Sequence, residues 1–324
     1  IDQFLEDAFE FDVDALCDGK DVFIAGIMQH IEQAGIHSGD SACVFPAYEL
    51  SSNARETIEI YTRKLALSLE TIGLINIQFA IQNDTVYVIE VNPRASRTIP
   101  FISKVIDIPL AKIAAQLSVG EKLKKLKLKS KNKNLIAIKK PVFPFNKFPN
   151  QSLFLSPEMK STGEVIGFDS DIGSAFSKAQ SGAKEQLPTS GIVFISINDK
   201  DKIKVIPIAR DLIELGFKII STKGTSKLLN ENGIHSEVIC KVGEGRPNIV
   251  DKIKNNEIQL IINTPLGEQS RYDEHKIGKA AINYKIPAIT TISAARFMVR
   301  AIRTQNTKSI RYKSLQEIFK RSLT

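Results

Sequence analysis

Cysteine is scarce in this sequence: Cys17, Cys43 and Cys240 are the three among 324 residues. They are too few and too far apart for a disulfide-bonded scaffold, and none belongs to a closely spaced pair of the zinc-binding kind. Long apolar runs are also missing, since none approaches the ~18 residues that a membrane-spanning helix needs. A basic and then apolar leader is not visible either. We therefore expect a cytoplasmic protein with buried thiols at Cys17 and Cys43 and no membrane partner.

The sequence has no excess of positive charge outside one stretch. Lysine and arginine number 44 against 36 acidic residues, which gives a net charge of +8. Residues 121–140 alone hold nine lysines and one glutamate, also +8, so the rest of the chain balances to zero. This stretch contains no aromatic residue, whereas nucleic-acid-binding faces spread basic residues and often add aromatics. We interpret it as a solvated connector and expect no nucleic-acid partner.

Changes in composition along the chain predict a division into three parts. Residues 1–120 alternate helical and strand patterns, and residues 121–187 combine the lysine-rich connector with short strands, turns and a helix near 172–183. A Leu-Pro-Thr-Ser-Gly stretch then opens the last part, residues 188–324. No repeat of fixed period is visible. The chain begins with isoleucine rather than methionine, which indicates processing or a fragment of a longer protein.

The last part predicts a doubly wound parallel sheet. Apolar strands alternate there with helical segments, which is typical of α/β folds with a buried sheet. In such sheets ligands bind outside the carboxyl ends of the strands, which here directs attention to Thr222, Lys241 and Asn263. The strands are predicted at 191–197, 217–222, 235–241, 260–264 and 287–291.

The first part predicts a helix and then a β-hairpin. The helix fits residues 54–72, and Ser51 or Ser52 can cap it. The hairpin strands fit residues 74–81 and 86–94 around a polar tip. One face of the helix carries the apolar residues Ile58, Leu65, Leu69 and Ile72.

The hairpin carries a candidate oxygen-rich metal site. Glu90 and Asn92 are two apart on one strand and share a face, while Gln78 lies on the partner strand. These hard oxygen donors suit Mg²⁺, and Arg94 and Arg97 follow to meet phosphate charge. Spacing alone leaves open the more frequent case, in which Glu90 and Asn92 simply face water on an edge strand.

A shared metal also requires a particular register. A two-residue loop at Asn83-Asp84 with regular pairing would place Gln78 opposite Ile89, on the other face from Glu90. The metal site therefore predicts an odd loop or a bulge that brings Gln78 opposite Glu90.

Longer motifs favour a metal site over an edge strand that simply faces water. VIEVNPRASRT, with GLINIQFAI before it, resembles the metal-binding end of an ATP-grasp domain. More narrowly, it resembles the second ATP-grasp half of the carbamoyl phosphate synthetase large chain, and residues 188–324 are similar to the methylglyoxal-synthase-like domain that closes that chain. The predicted fold is therefore α/β: the C-terminal part of an ATP-grasp domain (α+β) followed by a doubly wound parallel sheet. Further stretches that resemble the family are FEFDVDALCDGKDVFIAGIMQHIEQAGIHSGDSACVFP, PFNKFP and PEMKSTGEVIG.

The resemblance implies an ATP-dependent ligase. The family's second ATP site phosphorylates carbamate to carbamoyl phosphate, with ATP and Mg²⁺ (or Mn²⁺), for pyrimidine and arginine biosynthesis. Gln78, Glu90 and Asn92 match its metal ligands, and Arg94 and Arg97 match its catalytic arginines near the transferred phosphoryl group. The positions that match its nucleotide contacts are Leu5, Glu10, Gly35, Ile36, His37, Ser38, Gln78 and Glu90.

The resemblance also implies a nucleotide effector, UMP or IMP, on the last part. Methylglyoxal synthases carry a catalytic aspartate in a Gly-Gly-Asp stretch, but Gly243-Glu244-Gly245 stands here, so we expect binding without catalysis. Ornithine control is doubtful, because Lys140 and Ala288 replace an expected glutamate and tyrosine. The expected effector-binding residues are Lys202, Thr222, Thr225, Lys241, Asn263 and Thr264.

Parts of the family's ATP site have no counterpart in this sequence, including its glycine-rich phosphate-covering loop. We therefore expect the remainder of the large chain and a glutamine-hydrolysing small chain as partners, a possible higher oligomer, and no activity of this chain alone. Two alternatives remain open: a stand-alone nucleotide-binding regulatory protein without catalysis, and a different ATP-grasp ligase, which the last part disfavours.

Overall fold

The structure is a computed structural model that describes residues 5, 8–32, 34–130, 134–144, 155, 158–264 and 268–319. The chain divides into two compact units, residues 1–139 with 168–170 and 311–324, and residues 140–167 with 171–310. Of the PFNKFP stretch, residues 145–149 lie outside the described residues.

The first unit is built on antiparallel strands that run β5-β4-β1-β2-β3-β6. The strands are β1 (Phe9–Asp18), β2 (Val22–His30), β3 (Cys43–Phe45), β4 (Ile72–Gln82), β5 (Thr85–Asn92) and β6 (Ile136–Val142), and β7 (Gly163–Asp169) follows along the chain. The helices are α1 (Ser52–Ser68), α2 (Ile99–Ile106), α3 (Leu110–Ser118) and α4 (Leu123–Leu126).

Strand β1 separates an apolar face of this sheet from a polar one. Its odd-numbered residues from Phe11 to Cys17 enter the hydrophobic core, whereas Glu10, Asp12 and Asp14 alternate with them and point to the opposite face. All three carboxylates are buried. The core residues on β1 and its neighbour β4 are Phe11, Val13, Ala15, Cys17, Ile75, Ile77 and Phe79.

Helix α1 begins two residues before the predicted start at 54 and also ends earlier than predicted. The Ser51 hydroxyl accepts a hydrogen bond from the backbone N–H of Ala54, which confirms the predicted cap. The helix stops at Ser68, and Ile72 is already the first residue of β4. Leu69 and Ile72 are exposed by 49% and 58%, so the prediction that they continue the apolar face of α1 is wrong. Buried Ala54, Thr62 and Ala66 take that role, together with Ile58.

The start of the lysine-rich connector is attached to β1. The Asp18 carboxylate accepts backbone hydrogen bonds from Lys20 at 2.9 Å, Asp21 at 2.8 Å and Leu123 at 2.9 Å. The Lys122 ammonium donates to the Asp18 carbonyl at 3.1 Å, and Leu123 is buried. The connector is therefore anchored at its first turn rather than solvated throughout.

The second unit contains a five-stranded parallel sheet, as the sequence predicts. The strand order is β10-β9-β8-β11-β12, so the order reverses between β8 and β11. The strands are β8 (Gly191–Ile197), β9 (Phe217–Thr222), β10 (Glu237–Ile239), β11 (Leu260–Thr264) and β12 (Ala288–Ile289). The helices of this part are α5 (Ile172–Gly182), α6 (Lys202–Glu214), α7 (Lys223–Glu231), α8 (Ile249–Lys254), α9 (Glu268–Asn283) and α10 (Ile292–Thr307). Helix α11 (Leu315–Ile318) follows and is assigned to the first unit.

Helices α5 and α10 pack closely within the second unit. The rings of Phe176 and Phe297 stack with centroids 5.9 Å apart. Gly173 allows the close approach, because a Cβ there would lie 2.7 Å from the Arg300 carbonyl oxygen of α10. Since α5 precedes residue 188, a part that begins at 188 would leave this face of α10 uncovered.

Candidate functional site

The hairpin of β4 and β5 turns in two residues. Asn83 and Asp84 both adopt left-handed backbone conformations, with φ of 50° and 62°. Two such residues are the signature of a type I′ turn, whose twist matches that of the strands. Next to the turn the pairing is regular, with Gln82 opposite Thr85.

A bulge then changes the register of the hairpin. Phe79 pairs with Val88, and the residue before it, Gln78, pairs with Glu90 rather than with Ile89. Ile89 is therefore the extra residue of a bulge in β5. This confirms the predicted bulge. Gln78 and Glu90 therefore lie opposite each other rather than on different faces, which a shared metal requires.

The predicted oxygen ligands continue toward the arginines as a hydrogen-bonded series. The Asn92 amide donates to Glu90 Oε1 at 2.8 Å, and the Arg94 guanidinium donates to Asn92 Oδ1 at 3.1 Å. Glu90 is exposed, while Gln78 and Asn92 are half-buried. The strand end thus presents one carboxylate and two amide groups at the surface.

Beside these residues, the polar face of β1 holds a buried charged cluster. His30 Nε2 lies 2.8 Å from Asp12 Oδ2, and His30 Nδ1 lies 3.2 Å from Glu10 Oε2. Burial disfavours charge on the ring, yet the neighbouring Cys43 and the Asp12 carboxylate raise the pKa of His30 well above its ordinary value. Burial likewise opposes ionisation of Asp12, but His30 lowers its pKa overall. The raised pKa of His30 and the lowered pKa of Asp12 both favour an ion pair between these two side chains.

Asp14, also on this face, is bonded to the loop that carries both predicted arginines. Its Oδ1 accepts from Ser96 Oγ at 2.7 Å and from Asn76 Nδ2 at 3.0 Å, and its Oδ2 accepts from Thr98 Oγ1 at 2.5 Å. Burial raises the pKa of Asp14 to about 6, despite the hydrogen bonds from Thr98, Ser96 and Asn76.

The predicted nucleotide-contact loop approaches one arginine. His37 Nδ1 accepts from the Gly39 backbone N–H at 2.9 Å, and His37 Nε2 lies 3.4 Å from Arg97 Nη1. Burial and the Arg97 charge lower the pKa of His37, which favours a neutral ring that accepts at Nδ1. The Ser38 carbonyl accepts from the buried Lys139 ammonium at 2.8 Å.

For the remaining predicted nucleotide contacts, only backbone conformation and exposure can be described. Gly35 adopts φ of 92°, a conformation that suits glycine in the turn. Gly35 is exposed, and Ile36 and Leu5 are half-buried. These three positions stay predictions from the resemblance.

A second polar region lies at the carboxyl edge of the parallel sheet, where the strand order reverses. The Thr264 hydroxyl accepts from the Asn198 backbone N–H at 3.2 Å and side-chain amide at 3.0 Å. The Thr225 hydroxyl accepts from the Ile197 backbone N–H at 3.1 Å, so both hydroxyls keep a hydrogen to donate. Asn263 and Thr264 are the last two residues of β11, so polar side chains gather at the edge where doubly wound sheets bind ligands.

Two lysines bring positive charge to this edge. Lys202 Nζ lies 2.5 Å from Asp199 Oδ1, and a Cβ on Gly224, at the start of α7, would lie 3.7 Å from Lys202 Nζ. Thr222 precedes α7 without capping it through its side chain. The hydrogen bond and charge of Lys202, and the charge of Lys241, lower the pKa of Asp199.

Several residues of both regions escaped prediction. Asp12, Asp14, His30 and Lys139 take part in the first region through partners far away in the sequence, and Asp199 is bonded to a predicted effector lysine in the second. For β1 a signal existed: three acidic residues alternate with core residues, and a strand with that pattern has a charged face.

The described residues contain no helix that could span a membrane. Among the same residues, no group of three or more histidine, cysteine, aspartate or glutamate side chains is arranged to hold a metal ion. The predicted ligand set does not fall in that class, since it has one carboxylate and two amides.

Comparison with known proteins gives two family matches. Residues 1–126 match the carbamoyl-phosphate synthase L chain, ATP binding domain, and residues 204–290 match the MGS-like domain. Among solved structures, the biotin carboxylase domain of a single-chain bacterial carboxylase aligns with a TM-score of 0.46 at 17% identity, covering 55% of this chain and 47% of that one.

Relatives with high identity extend over nearly the whole chain. The carbamoyl phosphate synthase large chain of Acidobacterium capsulatum is 56% identical over 323 residues, which cover 98% of this chain and 30% of that protein. The large chain of Archaeoglobus fulgidus is 52% identical over 324 residues, covering 99% of this chain and 30% of that protein. The chain thus spans 30% of the length of these relatives, and it belongs to the carbamoyl phosphate synthase large-chain family.

Proposed function

We propose that this chain supplies the metal-binding and phosphoryl-transfer side of the site that phosphorylates carbamate to carbamoyl phosphate. The observation that carries the proposal is the bulge that sets Gln78 opposite Glu90. Asn92 follows on the same strand, and its amide is hydrogen-bonded to Glu90. Regular pairing of the same residues from the two-residue turn would instead put Gln78 and Glu90 on different faces.

The donor set fits a magnesium ion that also holds phosphate oxygens. Gln78, Glu90 and Asn92 offer hard oxygens and only one formal charge, which suits an ion that keeps other ligands from water or phosphate. Bound there with ATP, Mg²⁺ (or Mn²⁺) would supply positive charge that offsets the negative charge of the phosphates.

The protein residues bind and orient the reactants. Arg94 is held by Asn92 beside the donor set, and Arg97 approaches His37, so two guanidinium groups lie near where a transferred phosphoryl group would be placed. Neutral His37, Ser38 and the Glu10 carboxylate are suited to nucleotide atoms, since a carboxylate accepts bonds from ribose hydroxyls. Phosphoryl transfer then proceeds by positioning and charge stabilisation, without a covalent bond to the protein.

The carboxyl edge of the parallel sheet is proposed as an effector site for a nucleoside monophosphate, UMP or IMP. The start of α7 and the ammonium groups of Lys202 and Lys241 would receive the phosphate. The hydroxyls of Thr225 and Thr264 each retain a donor, and no catalysis is proposed there.

The wider setting of the chain is part of the same proposal. From the family resemblance we propose as partners the remainder of the large chain, a glutamine-hydrolysing small chain and a higher oligomer, with a role in pyrimidine and arginine biosynthesis. From composition we propose a cytoplasmic location and the domain limits 1–120, 121–187 and 188–324. Lys140 pairs with Glu185 at 3.2 Å, which fits a chain without ornithine control.

The test is Glu90→Ala in the full-length large chain. ATP synthesis from carbamoyl phosphate and ADP reports on this site alone, and we expect a loss of at least a hundredfold because magnesium sites have few protein ligands. Glu56→Ala on the exposed side of α1 is the matched control and should leave the rate unchanged. A Glu90→Ala rate within about threefold of wild type, or ~0.65 kcal/mol on the barrier, rejects the proposed ligand.

A further inference from the structure

The Asp14 carboxylate is fully buried, and both of its oxygens are used. It receives one bond from each of two hydroxyls of the loop after β5, Ser96 and Thr98, and one from the amide of Asn76 on β4. The two hydroxyls also lie 2.8 Å from each other. Three donors therefore converge on one side chain from two segments that are more than 60 residues away in the sequence.

These bonds fix a short segment that carries both candidate catalytic arginines. The loop runs from the end of β5 to the start of α2 and contains Arg94 and Arg97. Arg94 is bonded to the strand end, whereas Arg97 is flanked directly by the bonded Ser96 and Thr98. A loop that is hydrogen-bonded on both sides of Arg97 limits where that side chain can start.

Stability alone does not account for a carboxylate at this position. Burial raises the pKa of Asp14 to about 6, so the ionised form that prevails at neutral pH is less stable in the folded chain than in water. A neutral side chain of the same shape avoids that penalty. Asp18, on the same strand, shows the contrasting case, since backbone hydrogen bonds outweigh its burial and lower its pKa.

We propose that Asp14 is a positioning residue for phosphoryl transfer, which fixes the loop from Arg94 to Thr98 so that the arginines meet the transferred group. The inference rests on the proposed function of the hairpin and adds a residue to it. Asp14 acts through Ser96 and Thr98 and touches neither nucleotide nor metal.

The experiment compares isosteric variants in the full-length large chain. Asp14→Asn leaves one acceptor oxygen and turns an N–H₂ group toward the loop hydroxyls, so we expect kcat for ATP synthesis from carbamoyl phosphate and ADP to fall at least tenfold. KM for ADP should stay within twofold. Thr98→Val removes one donor without changing shape, and it should lower kcat in the same way. Combining it with Asp14→Asn should add little, because both disrupt one bonded unit.

Asp18→Asn is the matched control, because it neutralises another buried carboxylate of β1 whose bonds go to the connector instead. It should change stability but keep kcat within twofold. Equal kcat losses in Asp14→Asn and Asp18→Asn, or a change confined to KM, would overturn the proposal. If Asp14→Asn does not fold, Thr98→Val decides alone, and a wild-type kcat there rejects it.

The Glu90→Ala variant separates this inference from the proposed function. Loss of activity in Glu90→Ala with full activity in both Asp14→Asn and Thr98→Val rejects only the role of Asp14. Full activity in Glu90→Ala rejects the proposed function itself.

Discussion

Gln78 and Glu90 are register partners in a hairpin whose two-residue turn would otherwise pair Gln78 with Ile89. The extra residue, Ile89, forms a bulge in β5 next to the oxygen donors and not at the turn. Bulges commonly redirect side chains near functional sites, and this one places two candidate ligands opposite each other.

The bulge leads to a prediction about deletion. Removing Ile89 from the full-length chain leaves Glu90 directly after Val88, and regular pairing then still sets Glu90 opposite Gln78. We expect this deletion to keep ATP synthesis from carbamoyl phosphate and ADP within about tenfold of wild type. Deleting Val91 in addition to Ile89 moves Asn92 to the other face of the strand. We expect this double deletion to lower the rate of ATP synthesis at least a hundredfold.

The two deletions therefore test register rather than length. Circular dichroism and thermal unfolding of both variants control for folding. A single deletion as inactive as the double deletion would show that the bulge geometry itself, and not only the pairing, is required.

Asp14 provides a prediction of pH-dependent stability. Its pKa is raised in the folded chain, so the protonated form favours folding, and that contribution is complete below about pH 4 and lost as the pH rises through about 6. A rise from 3.8 to about 6 corresponds to about 3 kcal/mol at ~1.36 kcal/mol per pKa unit. Relative to Asp14→Asn, wild type should lose about this much free energy of unfolding between pH 4 and pH 7.5.

The measurement is denaturant unfolding of both proteins at the two pH values. Other titrating groups are shared, so they cancel in the difference between the proteins. A difference that is independent of pH would mean that Asp14 ionises in the folded chain as easily as in water.

The sequence predicts the second unit more fully than the first. Continuous apolar runs define β8, β9 and β11, and their predicted limits at 191–197, 217–222 and 260–264 match the structure. Buried parallel strands leave this signal because both of their faces are covered. The first unit has strands with one polar face, and the partners of that face cannot be read from local spacing.

Long-range partners explain what the sequence did not reveal about the site. Asp14 meets Thr98 across 84 residues, and Lys139 meets Ser38 across 101 residues. The predicted α1 face failed at Leu69 and Ile72 for a local reason, since Glu70 and Gly73 adopt left-handed conformations, with φ of 49° and 107°, that end the helix and start β4.

Packing of α5 on α10 predicts how the second unit can be truncated. A fragment of residues 171–310 keeps the stack of Phe176 on Phe297, whereas a fragment of residues 188–310 lacks Phe176 and exposes Phe297. Each buried phenylalanine contributes roughly 1.5–3 kcal/mol, so the shorter fragment should be less stable by at least that amount. Urea unfolding of the two fragments makes the comparison, and equal midpoints and slopes would show that α5 does not stabilise the sheet.

The last prediction concerns phosphate recognition at the carboxyl edge of the parallel sheet. Calorimetry on the whole 324-residue chain with UMP and with IMP should detect binding of at least one nucleotide, and the corresponding nucleoside should bind far more weakly. Lys241→Ala removes an exposed ammonium and should weaken binding by ~1.5–3 kcal/mol, the range for hydrogen bonds to a charged group.

Asp199→Asn is the matched control for this experiment, because it changes a charge at the same edge without removing a phosphate donor. Its carboxylate now engages the Lys202 ammonium, so neutralising it frees that ammonium and should leave binding as tight as wild type or tighter. Weaker binding in Asp199→Asn than in Lys241→Ala would instead place Asp199 among the ligand contacts, as an acceptor for the base or ribose. If neither nucleotide binds the folded chain at millimolar concentration, the edge is a structural feature and the effector proposal fails.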